Sequence, residues 1–177
     1  VSIEAKSGSR GDMVFVDIDH ETGADGQLAV TERQKLVYLE AQDSAAPLVP
    51  PEPTGETFDP SAWEAHHIAT PDERLLFRFS ALTFNTHRIH YDAPYARDVE
   101  RYRGLVVHGP LIASLLLQCA AGSFGENRLA SFSFRGVSPA IGGEPLHLVM
   151  RGRGEAIEMG AFATDGREVT KASASLV

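Results

Sequence analysis

The side chains able to move protons or hold charge crowd into one stretch, Ser80-Ala81-Leu82-Thr83-Phe84-Asn85-Thr86-His87-Arg88-Ile89-His90-Tyr91-Asp92, followed by a turn at His108-Gly109-Pro110. Histidine changes charge near neutral pH, so His90 and His87 can each take up and return a proton. Asn85 can accept through its carbonyl oxygen or donate from its amide, but it cannot take a proton at ordinary pH. The backbone N–H groups that open a helix carry partial positive charge, and at Gly109 no Cβ keeps an oxygen away from them. A base for water, an acid for carbon and donors facing a developing oxyanion are thereby within one chain segment.

Each of these residues also has an ordinary structural role. His108 is more readily a helix-entry or supporting residue than a catalyst, and Tyr91 and Tyr95 are more readily wall than acid. Asp92 either caps the next turn or orients His90. His87 either touches substrate or makes a structural hydrogen bond. Arg88 lies inside the run and is the first choice for binding an anion, ahead of Arg97, Arg101, Arg103, Arg128 and Arg135. His87, His90, His108 and Asp92 could in principle ligate a metal, but the tighter paired spacings of zinc sites and paired cysteines are missing, so no metal is expected. Cys119, the single cysteine, sits in an apolar run and reads as a small core residue.

The elements that must position these groups are legible from periodicity. Residues 1–41 alternate with period two, with turn signals at Gly8–Gly11 and Gly23–Gly26, and predict a three-stranded meander too small to stand alone. The chain opens without Met and seemingly within a strand, which leads us to expect sequence upstream. Residues 42–66, with Pro47, Pro50, Pro51, Pro53 and Pro60, read as an extended linker. Thr70-Pro71-Asp72-Glu73 predicts a helix start with Thr70 as cap, and 85–104 a loop with short helical turns. Leu111 to Gly122 is apolar nearly all round and predicts a long buried helix near 109–121. Alternating segments at 128–138, 145–154, 156–164 and 167–177 predict an antiparallel sheet around it, with turns at Gly142-Gly143, Gly154 and Asp165-Gly166.

Charge narrows the partners. Residues 1–66 hold 13 acidic against 4 basic side chains, while 67–177 hold 11 against 12. Nucleic acid, which needs clustered Lys and Arg, is not expected as a partner. A phosphorylated small molecule is compatible with the arginine-bearing second part. No stretch approaches the roughly 20 apolar residues of a membrane span, and the start lacks a signal-peptide core, so we expect a cytoplasmic protein with no membrane partner.

Phe84-Asn85-Thr86-His87-Arg88-Ile89-His90-Tyr91-Asp92, followed by Gly104-Leu105-Val106-Val107-His108-Gly109-Pro110-Leu111 and a long helix, resembles the MaoC-like hydratase and dehydratase family of hotdog proteins. Within it the string is most similar to the branch of itaconyl-CoA and mesaconyl-CoA hydratases and type 2 hydroxyacyl-thioester dehydratases. The resemblance implies an α+β hotdog fold, with 67–177 the catalytic domain and 1–41 the last strands of a partial, degenerate first half. It implies hydration or dehydration of an acyl-CoA thioester without a cofactor beyond the coenzyme A of the substrate, and a homodimer. A non-catalytic acyl-thioester binding domain and a hotdog thioesterase are the alternatives. The family's motif has Asp, then Asn two residues on, His five after the Asp and an acid two beyond that His. By this spacing the catalytic His falls on His90 and the trailing acid on Asp92, while Asn85 stands where the Asp belongs and His87 where the Asn belongs. Gly109 would meet the thioester carbonyl. The dyad has thus lost its carboxylate, leaving His90 to move protons alone or with His87 or Asp92.

Overall fold

A computed structural model describes the chain except Ser9, Arg10, Ala41, Gln42, Thr54, Glu56, Gly154 and Glu155 and the side chain of Arg153. The chain divides into two units, Val1–Asp43 and Ser44–Val177. In the first, strands β1 (Ser2–Gly8), β2 (Gly11–Ala24) and β3 (Gln27–Leu39) pair antiparallel in chain order. Asp25 and Gly26 both have positive φ, 51° and 76°, the signature of a type I′ turn whose twist matches the flanking strands. The expected turn between β1 and β2 lies partly outside the described residues. Most side chains here are exposed, Leu28 and Val30 among them, so the meander buries little of its own apolar surface.

In the second unit, β4 (Ala65–Ala69), β5 (Leu129–Gly136), β6 (Leu146–Arg153), β7 (Ala156–Ala163) and β8 (Glu168–Leu176) form one antiparallel sheet in the order β4-β6-β7-β8-β5. The turn expected at Gly154 lies outside the described residues. Helix α3 (Gly109–Phe124) crosses the sheet, setting Leu111, Ile112, Leu116 and Ala120 against Leu148 and Met150 of β6, Ile157, Met159 and Ala161 of β7, and Ala172 and Ala174 of β8. Alanines at the middle of β7 and β8 leave room for the helix to approach. This is the expected long helix on an antiparallel sheet.

Four expectations need correction. α3 runs past Gly122 to Phe124 and ends at Gly125, and it is not buried all round, since Ser114, Leu117 and Gln118 are exposed in this unit. Helix α1 (Glu73–Thr83) is capped by Asp72, which accepts from Leu75 N–H at 2.8 Å, rather than by Thr70. The reason is tertiary: the Pro71 carbonyl accepts from Gly143 N–H at 2.8 Å, tying 70–71 to the 142–143 turn, so the helix begins only beyond it. The sheet of the second unit also begins earlier than residue 67, because β4 starts at Ala65. Finally, 42–66 is not a free spacer. Val49 exchanges backbone bonds with Arg101 and Arg103, and Phe58 stacks on Phe162 at 4.7 Å and lies 5.0 Å from His147, covering the sheet face opposite α3.

Candidate active site

Helix α1 delivers the first residues. It closes with Phe84 in the left-handed region (φ 53°) and with two backward bonds, Phe84 N–H to Ala81 O and Asn85 N–H to Ser80 O. This is the Schellman arrangement, which satisfies the last carbonyls and turns the chain sharply. Asn85 emerges from that turn, and its Oδ1 accepts the His87 N–H at 3.0 Å, so the side-chain oxygen shapes the 85–87 loop and the amide donors are what remains to it. Tyr91 donates its hydroxyl to Thr86 O at 2.7 Å and clasps the same loop.

A short 3-10 turn, Arg88–His90, then buries Ile89 and His90. Its register against 105–107 rests on two bonds: Val106 N–H donates to Ile89 O at 2.9 Å, and His90 Nδ1 lies 2.7 Å from Val106 O. A carbonyl only accepts, so Nδ1 carries the hydrogen and Nε2 is left as the basic nitrogen. Burial holds His90 below the usual imidazole range, partly offset by the bond to Val106 and reinforced by the charge of His87, whose ring stands edge-on at 5.7 Å. His90 is therefore a neutral base at neutral pH.

Beneath it lies a residue pair that local sequence did not reveal as a unit. His108, the residue preceding α3, is 1% exposed and stacks on His90 with ring centroids 3.6 Å apart. Its Nε2 is 2.8 Å from Ser80 Oγ, its Nδ1 has no hydrogen-bond partner among the described residues, and the edge of Phe79 closes its side. Burial, then the charge of His90, pushes its pKa down to about 4. Ser80 carried no signal except its place on the buried face of α1, one turn before Asn85.

The acids and cations of the run are otherwise engaged. Asp92 accepts from Tyr95 N–H and so caps α2 (Ala93–Asp98), and its other oxygen takes two bonds from Arg88, at 3.0 and 2.7 Å. Of the two roles open to Asp92, the cap is the one seen, and no bond joins it to His90. Arg88, the first choice for an anion, is spent on Asp92 and lies 4.0 Å over the Tyr95 ring. The Arg88 side chain holds Asp92 below the usual carboxylate range. Arg103 binds Glu144, and Arg101 reaches Ala46 O. Among the described residues no group of three or more His, Cys, Asp or Glu side chains gathers as a metal site.

Gly109 lines a cavity of about 320 Å3 together with Tyr102, Val106, Ile112, Thr170 and the 136–140 segment. As first residue of α3 its N–H has no intrahelical acceptor. Neither His90 nor Asn85 lines this cavity, although Val106, whose carbonyl accepts from His90 Nδ1, does. The expectation that the three groups open on one cavity therefore needs correction, since Gly109 alone of them lines it. Tyr102, Thr170 and the 136–140 wall were missed, because their convergence depends on how β5 and β8 end.

Fold and site together define a hotdog protein that holds a neutral histidine beside the first peptide of the long helix. Its backbone superposes on an (R)-hydratase of A. caviae involved in PHA biosynthesis (18% identity, 63% of this chain and 91% of that one, TM-score 0.57) and on a MaoC-like dehydratase of Phytophthora capsici (13%, 99% and 60%, TM-score 0.69). The profile of the family described as hydroxyacyl-thioester dehydratase type 2 matches residues 2–142, and the chain belongs to that family. It is 41% identical over 175 residues to a mesaconyl-C(4)-CoA hydratase of Chloroflexus aurantiacus, covering 99% of this chain and 60% of that protein. It is 32% identical over 141 residues to a mitochondrial hydroxyacyl-thioester dehydratase type 2 of Schizosaccharomyces pombe, covering 78% and 44%. The chain thus spans about half the length of these relatives.

Proposed function

We propose that this chain carries the catalytic half of a hydratase that reversibly adds water to an enoyl-CoA thioester of short, carboxylated type. The observation that carries the proposal is His90, held neutral by burial and by its Nδ1–H bond to Val106 O, with Nε2 left to act as a base. Water gives a proton to His90 Nε2 and its oxygen adds to Cβ, while the thioester oxygen, becoming an enolate, is met by the Gly109 N–H at the positive end of α3. The Asn85 amide, with its carbonyl engaged by His87, orients the water by donation. The mesaconyl thioester is suggested by the 41% identical relative, and coenzyme A enters only as part of the substrate. Membrane and nucleic acid have no part in the proposal, and a cytoplasmic setting accords with it. Among the described residues no helix is long and apolar enough to cross a membrane.

We also propose that two copies associate. Within the second unit β4 and β5 each have one neighbour, and Ile68, Phe77, Leu117 and Phe134 are exposed, surface that a second copy would cover.

The test is a panel of enoyl-CoA thioesters followed by loss of the conjugated-thioester absorbance. Turnover is expected on the short carboxylated members, and His90→Ala should lower it by about two orders of magnitude or more. Release of free thiol without loss of conjugation would instead support thioester hydrolysis, and binding without turnover a carrier role.

A further inference from the structure

Hydration needs a proton given to Cα as well as one taken from water, and the residue that should help has become Asn85. We infer that His87 is the second proton-transfer group of this site and that the pair His87 and His90 does the work of the missing carboxylate; the inference rests on the hydratase proposal above.

Asn85 cannot give or take a proton, and its oxygen is bound to the His87 N–H. Asp92 is held by Arg88 and by Tyr95 N–H. Tyr91 donates to Thr86 O and Tyr95 to Glu100, and burial raises the Tyr102 phenol further from neutral exchange. His108, stacked under His90 from α3, is sealed at 1% exposure with Nε2 on Ser80. The charged side chains of α1, Glu73, Arg74 and Arg78, belong to its first two turns, away from the end that carries Ser80 and Asn85. His87 is left: exposed, in contact with solvent protons, and set edge-on to His90 with 5.7 Å between ring centroids. At that spacing the two rings meet edge to face, so a substrate seated against the pair meets both imidazoles.

The steps balance. A water O–H bond breaks, its proton going to His90 Nε2, and the C–O bond forms at Cβ as the π pair moves into the thioester to make the enolate. The enolate returns its electron pair to Cα, which takes the proton from an imidazolium N–H of His87. His90 then releases its proton to solvent, His87 regains one from it, and the sum is addition of one water with no change of oxidation state overall. Dehydration runs the same steps backwards.

The experiment compares the intact chain with His87→Gln and His87→Ala, using the pH dependence of kcat/KM and kcat on the best enoyl-CoA of the panel, with near-ultraviolet circular dichroism as the check on folding. The expected result is a fall in kcat of about a hundredfold in both variants, loss of the basic limb of the pH profile, and partial recovery of His87→Ala by added imidazole. Rates within threefold of wild type with both limbs kept would overturn the inference and leave the hydratase proposal standing. So would a large fall with the basic limb kept and no recovery by imidazole, which would make His87 a positioning residue only. A wild-type chain inactive on the whole panel would overturn both proposals together.

Discussion

His108 makes the folded molecule sensitive to acid. Its pKa in the folded chain is about 4, against 6.5 for an unperturbed imidazole, so between these values the unfolded chain binds a proton that the folded chain refuses. Stability attributable to this residue is therefore full above pH 6.5 and is lost as the pH falls toward 4, by on the order of 3 kcal/mol. His90, lowered by the same burial, acts in the same direction. Urea midpoints between pH 7.5 and 4 should fall with pH in the wild type and fall less in His108→Phe, which keeps an aromatic ring under His90 without the proton. Equal slopes in both would show that the loss comes from elsewhere. At this scale the sequence pointed to the run that holds Asn85, His87 and His90, but not to the bonds these residues make. Nothing local announces that Asp92 and Arg88 satisfy each other, or that Ser80 meets His108 from 28 residues away.

At the scale of elements, the end of α1 breaks a local preference. Phe84 adopts a left-handed backbone that suits glycine, and its side chain is 91% exposed, so no packing within its own unit offsets the strain. Phe84→Gly should raise stability by up to about 1 kcal/mol if relief of this strain outweighs the added freedom of the unfolded chain, read as a shift in thermal midpoint. A marked loss would mean that the ring is covered in solution. At the other end, Asp72→Ala removes the acceptor for Leu75 N–H and should cost about 1 kcal/mol, whereas Thr70→Ala should cost little. Helix type and position were legible from apolar spacing and from Asp72 and Glu73; the cap was placed two residues early because the Pro71–Gly143 bond joins segments far apart in sequence. β4 was not foreseen at all, since Ala65-His66-His67-Ile68-Ala69 has no clear alternation and becomes a strand through its pairing with β6.

At the scale of the molecule, exposed apolar side chains on the second unit and the single-neighbour strands β4 and β5 lead to one measurable expectation. Sedimentation velocity should give a mass near twice 19.1 kDa, concentration-independent in the micromolar range, and a mass of one chain would count against the proposed association. The sequence reading set a linker at 42–66 between a meander at 1–41 and a domain at 67–177, whereas the second unit runs from Ser44 to Val177. The role of the Pro-rich stretch was not, because prolines announce an extended backbone without saying what it lies against.

What this sequence determined by itself was local and repetitive: the period-two runs that become strands, the apolar run that becomes α3, the Asp-Gly turn at 25–26, and a motif dense enough to reveal the family. Such features follow from backbone geometry and from which side chains tolerate burial, and neighbours in the chain suffice to express them. The tertiary structure alone decided which nitrogen of His90 is basic, which acid is already spent, what lies beneath the His90 ring, and what covers the far face of the sheet. Those outcomes depend on hydrogen bonds and stacking between segments separated along the chain, His90 with Val106 at 16 residues and Phe58 with Phe162 much further, whose partners are set only when the chain closes on itself.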